Sequence, residues 1–326
     1  MCTGIRLITK NNAVVCARTM EFAQNIESKI IGIPRNYSMV GTAPSGKPEG
    51  LAWKTKYAAI GANAAGVSHI LDGINEQGLA GGLFYFPDYA HYQNATPAQF
   101  PQSLAPWEFL TWLLTSFSTV PQVKAALPTI KVVPVVFGPW GIIPPTHAII
   151  HDATGQSLVI EYVQGNLVMH DNALGVITNA PTFDWHVTNL RNYINVSALN
   201  VPQVALNSIK LDALGQGSGM LGLPGDFTSP SRFIRAVAFS QSVIETATET
   251  EALDTAFHVL NLFDISKGIV REQQNNTIHY EYTQWTSASD LKNKRYYFHT
   301  YDNRAVTMVD LTTMNLDAQE PTFTNM

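Results

Sequence analysis

The chain has 326 residues, 45% of them hydrophobic and only 14% charged, with a formal net charge of -5 and a pI near 6.0. That length buries a substantial core, and the mildly acidic balance, without a basic stripe, excludes an electrostatic case for nucleic acid or an anionic membrane surface. Two cysteines rule out a disulfide framework and point to a reducing, cytoplasmic setting.

The N-terminus, "MCTGIRLITKNN", has no apolar run long enough for a signal-peptide core. Residues 3–9 and 13–19 are rich in β-formers and flank "KNNA", where Asn11 and Asn12 suit the positive φ angles of a two-residue turn. With Lys10 facing Ala13, the register sets Cys2 opposite Glu21, with Arg18 close by. Strand parity places Arg18 and Glu21 on opposite faces, so their use at one site requires a bend or bulge.

Further strands are expected at 57–62, 67–74, 79–85, 146–152, 157–163, 167–171 and 174–179, the later ones joined as a meander by short turns such as "ATGQ" and "QGN". Between them, "PWEFLTWLLTSF" predicts a helix with Pro106 near its start and Leu110, Leu113, Leu114 and Phe117 on one face. The apolar stretch "VVPVVFGPWGIIPPTHAII" is broken by Pro134, Pro139, Pro144 and Pro145, whereas a membrane helix needs roughly 20 uninterrupted apolar residues. Residues 189–226, with their Gly, Asn and Pro, read as a long surface excursion. "SPSRFIRAVAFSQSV" carries a Ser229-Pro230 helix start, "EALDTAFHVLNLF" groups Leu253, Phe257 and Leu260, and "KRYYFHTYDNRAVTMVDL" is a hairpin around Asp302-Asn303. Strands at both ends with helices between them predict one layered α+β domain spanning 1–326.

Cys2 is the residue with the sharpest chemical reading. A small residue in second position permits removal of Met1, which leaves an α-amine and a thiol on one residue. An α-amine titrates at about 7.7–8, so it serves as a base near neutrality, and the thiolate is a strong nucleophile. The plain alternative is a small hydrophobe at a strand start. Arg18 beside Cys2 favours the thiolate, or else it is a solvated surface cation. Asn179, at the end of "GVITN", is either a turn residue or an oxyanion donor. Arg232 falls in the first turn of its helix. Gly217, Gly219 and Gly222 match G-x-G-x-x-G literally, but no clear strand precedes them and Leu-Pro-Gly follows, so dinucleotide binding is rejected. His147 and His151 share a strand face without a third ligand nearby, and no HExxH or GxSxG occurs; neither a metal nor any other cofactor is expected.

"MCTGI", "ARTMEF", "GINEQGLAGGLFYF", "TNAPTFDWHVTNLRNY", "GQGSGMLGLPGDFTSPSRFIR" and "YYFHTYDNR", in this order and spacing, resemble the choloylglycine hydrolase family, the cysteine branch of the N-terminal-nucleophile hydrolases. The resemblance runs essentially end to end. It implies an αββα sandwich of two antiparallel sheets, removal of Met1 and a homotetramer. Carried over by position, Cys2 is nucleophile and base, Arg18 stabilises the thiolate, Asn179 forms part of the oxyanion hole, and Arg232 supports the site. Tyr85 falls at a second oxyanion or substrate contact. Phe22, Phe86 and residues around 137–143 are expected to line the acyl pocket. Where well-known members carry Asp three residues after the Arg, this chain has Glu21, one methylene longer. Tyr85 and the Gly-rich segment are closer to penicillin V acylases, and "APWEFLTWLL" to bile salt hydrolases. The resemblance therefore implies hydrolysis of a small-molecule linear amide: a phenoxyacetyl amide first, a conjugated bile acid or acyl-homoserine lactone otherwise. A non-catalytic relative that binds acyl amides is the alternative from another class.

Overall fold

The computed structural model describes residues 1–274 and 276–326. Two antiparallel sheets form its centre. In the first, Cys2–Ile8, Val14–Phe22, Thr277–Asp290, Arg295–Thr300 and Thr307–Asp310 lie side by side in that order, and Val270–Gln274 pairs with the first part of Thr277–Asp290. The second runs Asn166–Asp171, Ser157–Val163, Thr146–His151, Ala80–Tyr85, Asp72–Asn75, Ala59–Ala62, Lys29–Ile33, Thr322–Asn325.

Helices Ser229–Ser242 and Glu249–Asn261 cover the outer face of the first sheet, and Phe109–Ser116 packs on the strands Asp72–Asn75 and Ala80–Tyr85 of the second. The layers are therefore α, β, β, α. One apolar core, including Ile5, Phe84, Ile149 and Phe233, fills the space between the sheets and beneath the first helical layer. A second, built on Leu83, Leu110, Leu113, Ile150 and Ile160, lies between the second sheet and Phe109–Ser116. Because both faces of Val14–Phe22 are covered, its first eight residues are all buried, Arg18 and Glu21 included. A strand covered on both faces shows no clean polar alternation.

The opening hairpin forms with a register shifted by one residue. Cys2 pairs with Met20 and Ile8 with Val14, because the connection is a loop around Lys10, Asn11 and Asn12, not a two-residue turn. Of these, Asn12 alone has positive φ, at 60°, and the Thr9 hydroxyl accepts the Ala13 N–H at 2.9 Å. The expected strand at 174–179 is absent: only the isolated bridge Gly4–Ile177 forms there, and Gly175 takes a φ of 68°. The strands expected at 57–62 and 67–74 shorten to Ala59–Ala62 and Asp72–Asn75. The predicted helices appear, the first beginning at Phe109, and residues 199–217 form an exposed excursion around the small hairpin Val204–Leu206/Ile209–Leu211. Among the described residues no helix is long and apolar enough to cross a membrane.

Glycine is required where the second sheet packs most closely. A Cβ on Gly61 would overlap the Asp72 carbonyl and come within 2.6 Å of the Gly73 Cα. Gly61→Ala is therefore expected to lower stability by about 1–3 kcal/mol, the usual cost of overpacking, read as a lower denaturant midpoint at unchanged slope. A midpoint equal to that of the parent would show that the sheet opens at no cost.

Candidate active site

The site lies where the first strand ends against the second sheet. Cys2 is buried, and its backbone N–H donates to Asn179 Oδ1 at 2.9 Å. The same oxygen accepts from Arg232 Nη2 at 2.7 Å, while Asn179 Nδ2 donates to the Tyr85 carbonyl at 2.6 Å. An amide nitrogen carries two hydrogens, so Asn179 retains one for another acceptor. Arg232 Nη1 also bonds the Cys2 carbonyl and, at 3.0 Å, the Thr3 hydroxyl. Burial presses the Arg232 guanidinium down from its usual value, and the negative charge of Glu21 acts in the opposite direction.

The sulfur faces the other way. Cys2 Sγ is 3.5 Å from Met20 Sδ, and Arg18 Nη2 is 3.5 Å from that same sulfur. Arg18 is therefore next to Met20, which separates it from the thiol along this line. It is aimed by a 2.7 Å bond from Nη1 to the Leu83 carbonyl, by the Phe84 ring 4.0 Å below its guanidinium, and by Asp72 at 4.0 Å. Asp72 in turn accepts from Ser287 at 2.6 Å and Tyr296 at 2.8 Å. The space between them exists because position 82 is glycine: a Cβ there would lie 2.8 Å from Asp72 Oδ1 and 3.0 Å from Arg18 Nη1.

Arg18 and Glu21 stay on opposite faces, as parity demands, and a bulge does occur, at Gln284 of the partner strand between Thr283 and Trp285. No bond joins Glu21 to Cys2. The Glu21 N–H instead donates to the Met1 carbonyl at 2.9 Å, and Oε1 accepts from Thr283 at 2.9 Å, while Oε2 is buried and has no partner among the described residues. Burial raises the Glu21 carboxyl; the positive charges of the terminal amine and Arg232 oppose this. The amine of Met1 lies 3.6 Å from Glu281 and bonds the Glu21 carbonyl at 2.7 Å.

An apolar cavity opens at Cys2, lined by Met20, Phe22, Leu71, Tyr85, Trp140 and Ile142. A neighbouring cavity shares Leu71, Trp140 and Pro144 with it and adds Trp107 and Phe137. Phe22 stacks on Trp140 at 5.6 Å and meets the Tyr85 ring edge-on at 5.8 Å. Tyr85 and Phe22 line the cavity at Cys2 with Trp140 and Ile142 of the 137–143 segment, and Phe137 lines the neighbouring one. Phe86 does not: it is fully buried and stacks on His147 at 4.2 Å, because the side chain after Tyr85 points to the other face of its strand. Met20 and Asp72 escaped the sequence reading. The parity of Cys2, Arg18 and Met20 in the correct register was the signal that would have found Met20. Among the described residues no group of three metal-ligating side chains occurs. A paired thiol and backbone nitrogen, an amide donor and two buried guanidiniums beside an apolar cavity form a set suited to attack on a carbonyl.

The family of linear amide C–N hydrolases known as choloylglycine hydrolases matches residues 2–324. This chain belongs to that family. It is 37% identical over 324 residues to a bile salt hydrolase/transferase of Clostridium perfringens, covering 98% of this chain and 95% of the relative. A penicillin V acylase of Pectobacterium atrosepticum is 26% identical, covering 92% and 78%. The crystal structure of a conjugated bile acid hydrolase from Clostridium perfringens superposes with a TM-score of 0.87 at 34% identity, over 100% of this chain and 97% of the other. A penicillin V acylase from Agrobacterium tumefaciens shares the fold, at a TM-score of 0.81 and 24% identity. The architecture is the N-terminal-nucleophile hydrolase fold, and the family's chemistry is hydrolysis of carbon–nitrogen bonds in linear amides.

Glu21 sets a pH dependence. Its carboxyl is raised above the ordinary value of 4.5, so the folded chain keeps a proton that the unfolded chain has released. Its contribution to stability is therefore present at low pH and lost as pH climbs through that raised value. Glu21→Gln is expected to gain stability relative to the parent as pH rises from about 4 to about 8, measured by urea unfolding; a difference that does not change with pH contradicts the assignment.

Proposed function

We propose that this chain is a cysteine amidase that cleaves amides of bulky aromatic acids, with a phenoxyacetyl-type amide as its substrate class. One 1–326 unit carries the site, since the strands from both chain ends share the first sheet. The carrying observation is the aromatic wall of Phe22, Tyr85 and Trp140 on the cavity that opens at Cys2. Flat rings stack and meet edge-on there at little conformational cost.

In this reading removal of Met1 frees the Cys2 nitrogen, already hydrogen-bonded to Asn179, as an α-amine. That amine takes the thiol proton, and Sγ attacks the amide carbonyl. The remaining Asn179 N–H holds the oxyanion, an interaction worth about 10²–10³ in rate where it has been measured in other enzymes. The α-ammonium gives its proton to the leaving amine as the C–N bond breaks. Water, deprotonated by the same amine, then cleaves the thioester. Arg18 favours the thiolate through the short corridor past Met20, Arg232 fixes Asn179 and the Cys2 carbonyl, and Glu21 supplies negative charge near the amine. A second reading, a conjugated bile acid as substrate, is favoured by the 37% identity to a bile salt hydrolase/transferase.

Turnover of a phenoxyacetyl amide, a glycine-conjugated bile acid and an acyl-homoserine lactone, compared side by side, tests the assignment. The phenoxyacetyl amide is expected to give the highest kcat/KM, and Cys2→Ser to lose at least about 10³-fold in kcat while keeping the parent's circular dichroism. Preference for the bile acid amide selects the second reading. Slow labelling of Cys2, no faster than a free thiol, together with no turnover, selects the acyl-amide-binding alternative.

A further inference from the structure

His147 and Glu161 lie on neighbouring strands of the second sheet, one step beyond the paired Ala148 and Ile160, and both face inward with 3% and 0% exposure. His147 Nδ1 is 3.1 Å from Glu161 Oε1, and His147 Nε2 is 3.2 Å from the Thr178 carbonyl. Both neighbours are acceptors. A neutral imidazole has one N–H, so it would set a bare lone pair against one of these oxygens. Only the imidazolium, with two N–H donors, satisfies both. Glu161 supplies the countercharge: it also accepts the Phe183 N–H at 3.0 Å and lies 3.5 Å from His170 Nε2. Burial works to raise this carboxyl, but the bonds and charges of His147 and His170 prevail and hold it at about 2. Phe86 lies flat against the His147 ring, 4.2 Å away and 3° from parallel, a face that suits a cation.

Thr178 immediately precedes Asn179. Around these two residues, Ser229 Oγ accepts the Asn179 N–H at 2.9 Å, and His186 Nε2 donates to the Asn179 carbonyl at 2.9 Å. Among the described residues, only the bond from His147 reaches the Thr178 carbonyl. The geometry points to a charged clamp, Glu161–His147–Thr178 carbonyl, that positions Asn179 for the oxyanion and makes His147 a positioning residue of the reaction. This rests on the oxyanion role proposed above. The groups that face the clamp are Glu161 and His170 from the adjoining strands and His186 from the helix Phe183–Asn189; burial lowers His186 to about 4, so it carries no competing charge near neutrality. The competent form is the ring that donates from both nitrogens, to Glu161 and to the Thr178 carbonyl.

Two measurements test the clamp. Nitrogen-15 correlation spectra of the unsubstituted chain at pH 7 are expected to show both His147 ring nitrogens protonated, and to show a neutral ring in Glu161→Gln. In His147→Gln, kcat on the best amide should fall about tenfold, a part of the loss seen on removing an oxyanion donor. KM and the rate of Cys2 alkylation should change less than about threefold, and the Asn179 side-chain amide resonances should shift. A singly protonated His147 at pH 7, a kcat within twofold of the parent, or unmoved Asn179 resonances would each overturn the clamp. A chain that hydrolyses no amide instead removes the function proposed above, and the two spectroscopic readouts still decide the clamp. Should His147→Gln not fold, the ring protonation of the unsubstituted chain and of Glu161→Gln decides it.

Discussion

One oxygen holds the site together. Asn179 Oδ1 accepts from the Cys2 nitrogen and from Arg232, so it joins the first strand, the segment that leaves the second sheet and the first turn of the helix Ser229–Ser242. All three groups are buried, where a lost partner leaves a polar atom unsatisfied at a cost of about 1–3 kcal/mol, more for the guanidinium. The geometry of Cys2 is therefore coupled to helix packing on one side and to the order of residues 178–182 on the other.

The two buried guanidiniums divide the work by face. Arg232 approaches from the helical layer and bonds the backbone and amide around Cys2, and Arg18 approaches from the inter-sheet space and meets the sulfur side through Met20. Each has a carboxylate on its own face, Glu21 for Arg232 and Asp72 for Arg18. Burial raises both carboxyls; the terminal amine and then Arg232 oppose the rise at Glu21, and Arg18 opposes it at Asp72. This arrangement removes the apparent conflict between Arg18 and Glu21, because the site lies at a strand end where both faces of one strand contribute.

The hairpin, the three main helices and the strands of the second sheet's meander were legible because period and turn chemistry are local. The register was not, since a two-residue turn would put both Asn11 and Asn12 in the left-handed conformation, whereas in the three-residue loop Asn12 alone takes it. The central strand Thr277–Asp290 went unread: exposed in its first part and buried from Thr283 onward, "TIHYEYTQWTSASD" mixes polar and aromatic residues without a clean period. The overread strand at 174–179 is apolar because Val176 and Ile177 pack into the inter-sheet core, not because it pairs along its length. At the site, Asn179 bonds Cys2, Arg232 and the Tyr85 carbonyl, and Arg18 lies behind Met20. Met20, Asp72 and His147 depend on side-chain direction across two sheets, which no local pattern carries. Phe86 was misplaced for the same reason.

The central claim is that the nitrogen and sulfur of Cys2 act together once Met1 is gone. Intact-mass and peptide mass spectrometry of active protein, quenched during turnover of an amide substrate, tests this most directly. The account predicts a chain that begins at Cys2 and carries the acyl group as a thioester on that residue. Active protein that retains Met1, or an acyl group found on Cys16 or elsewhere, would contradict it.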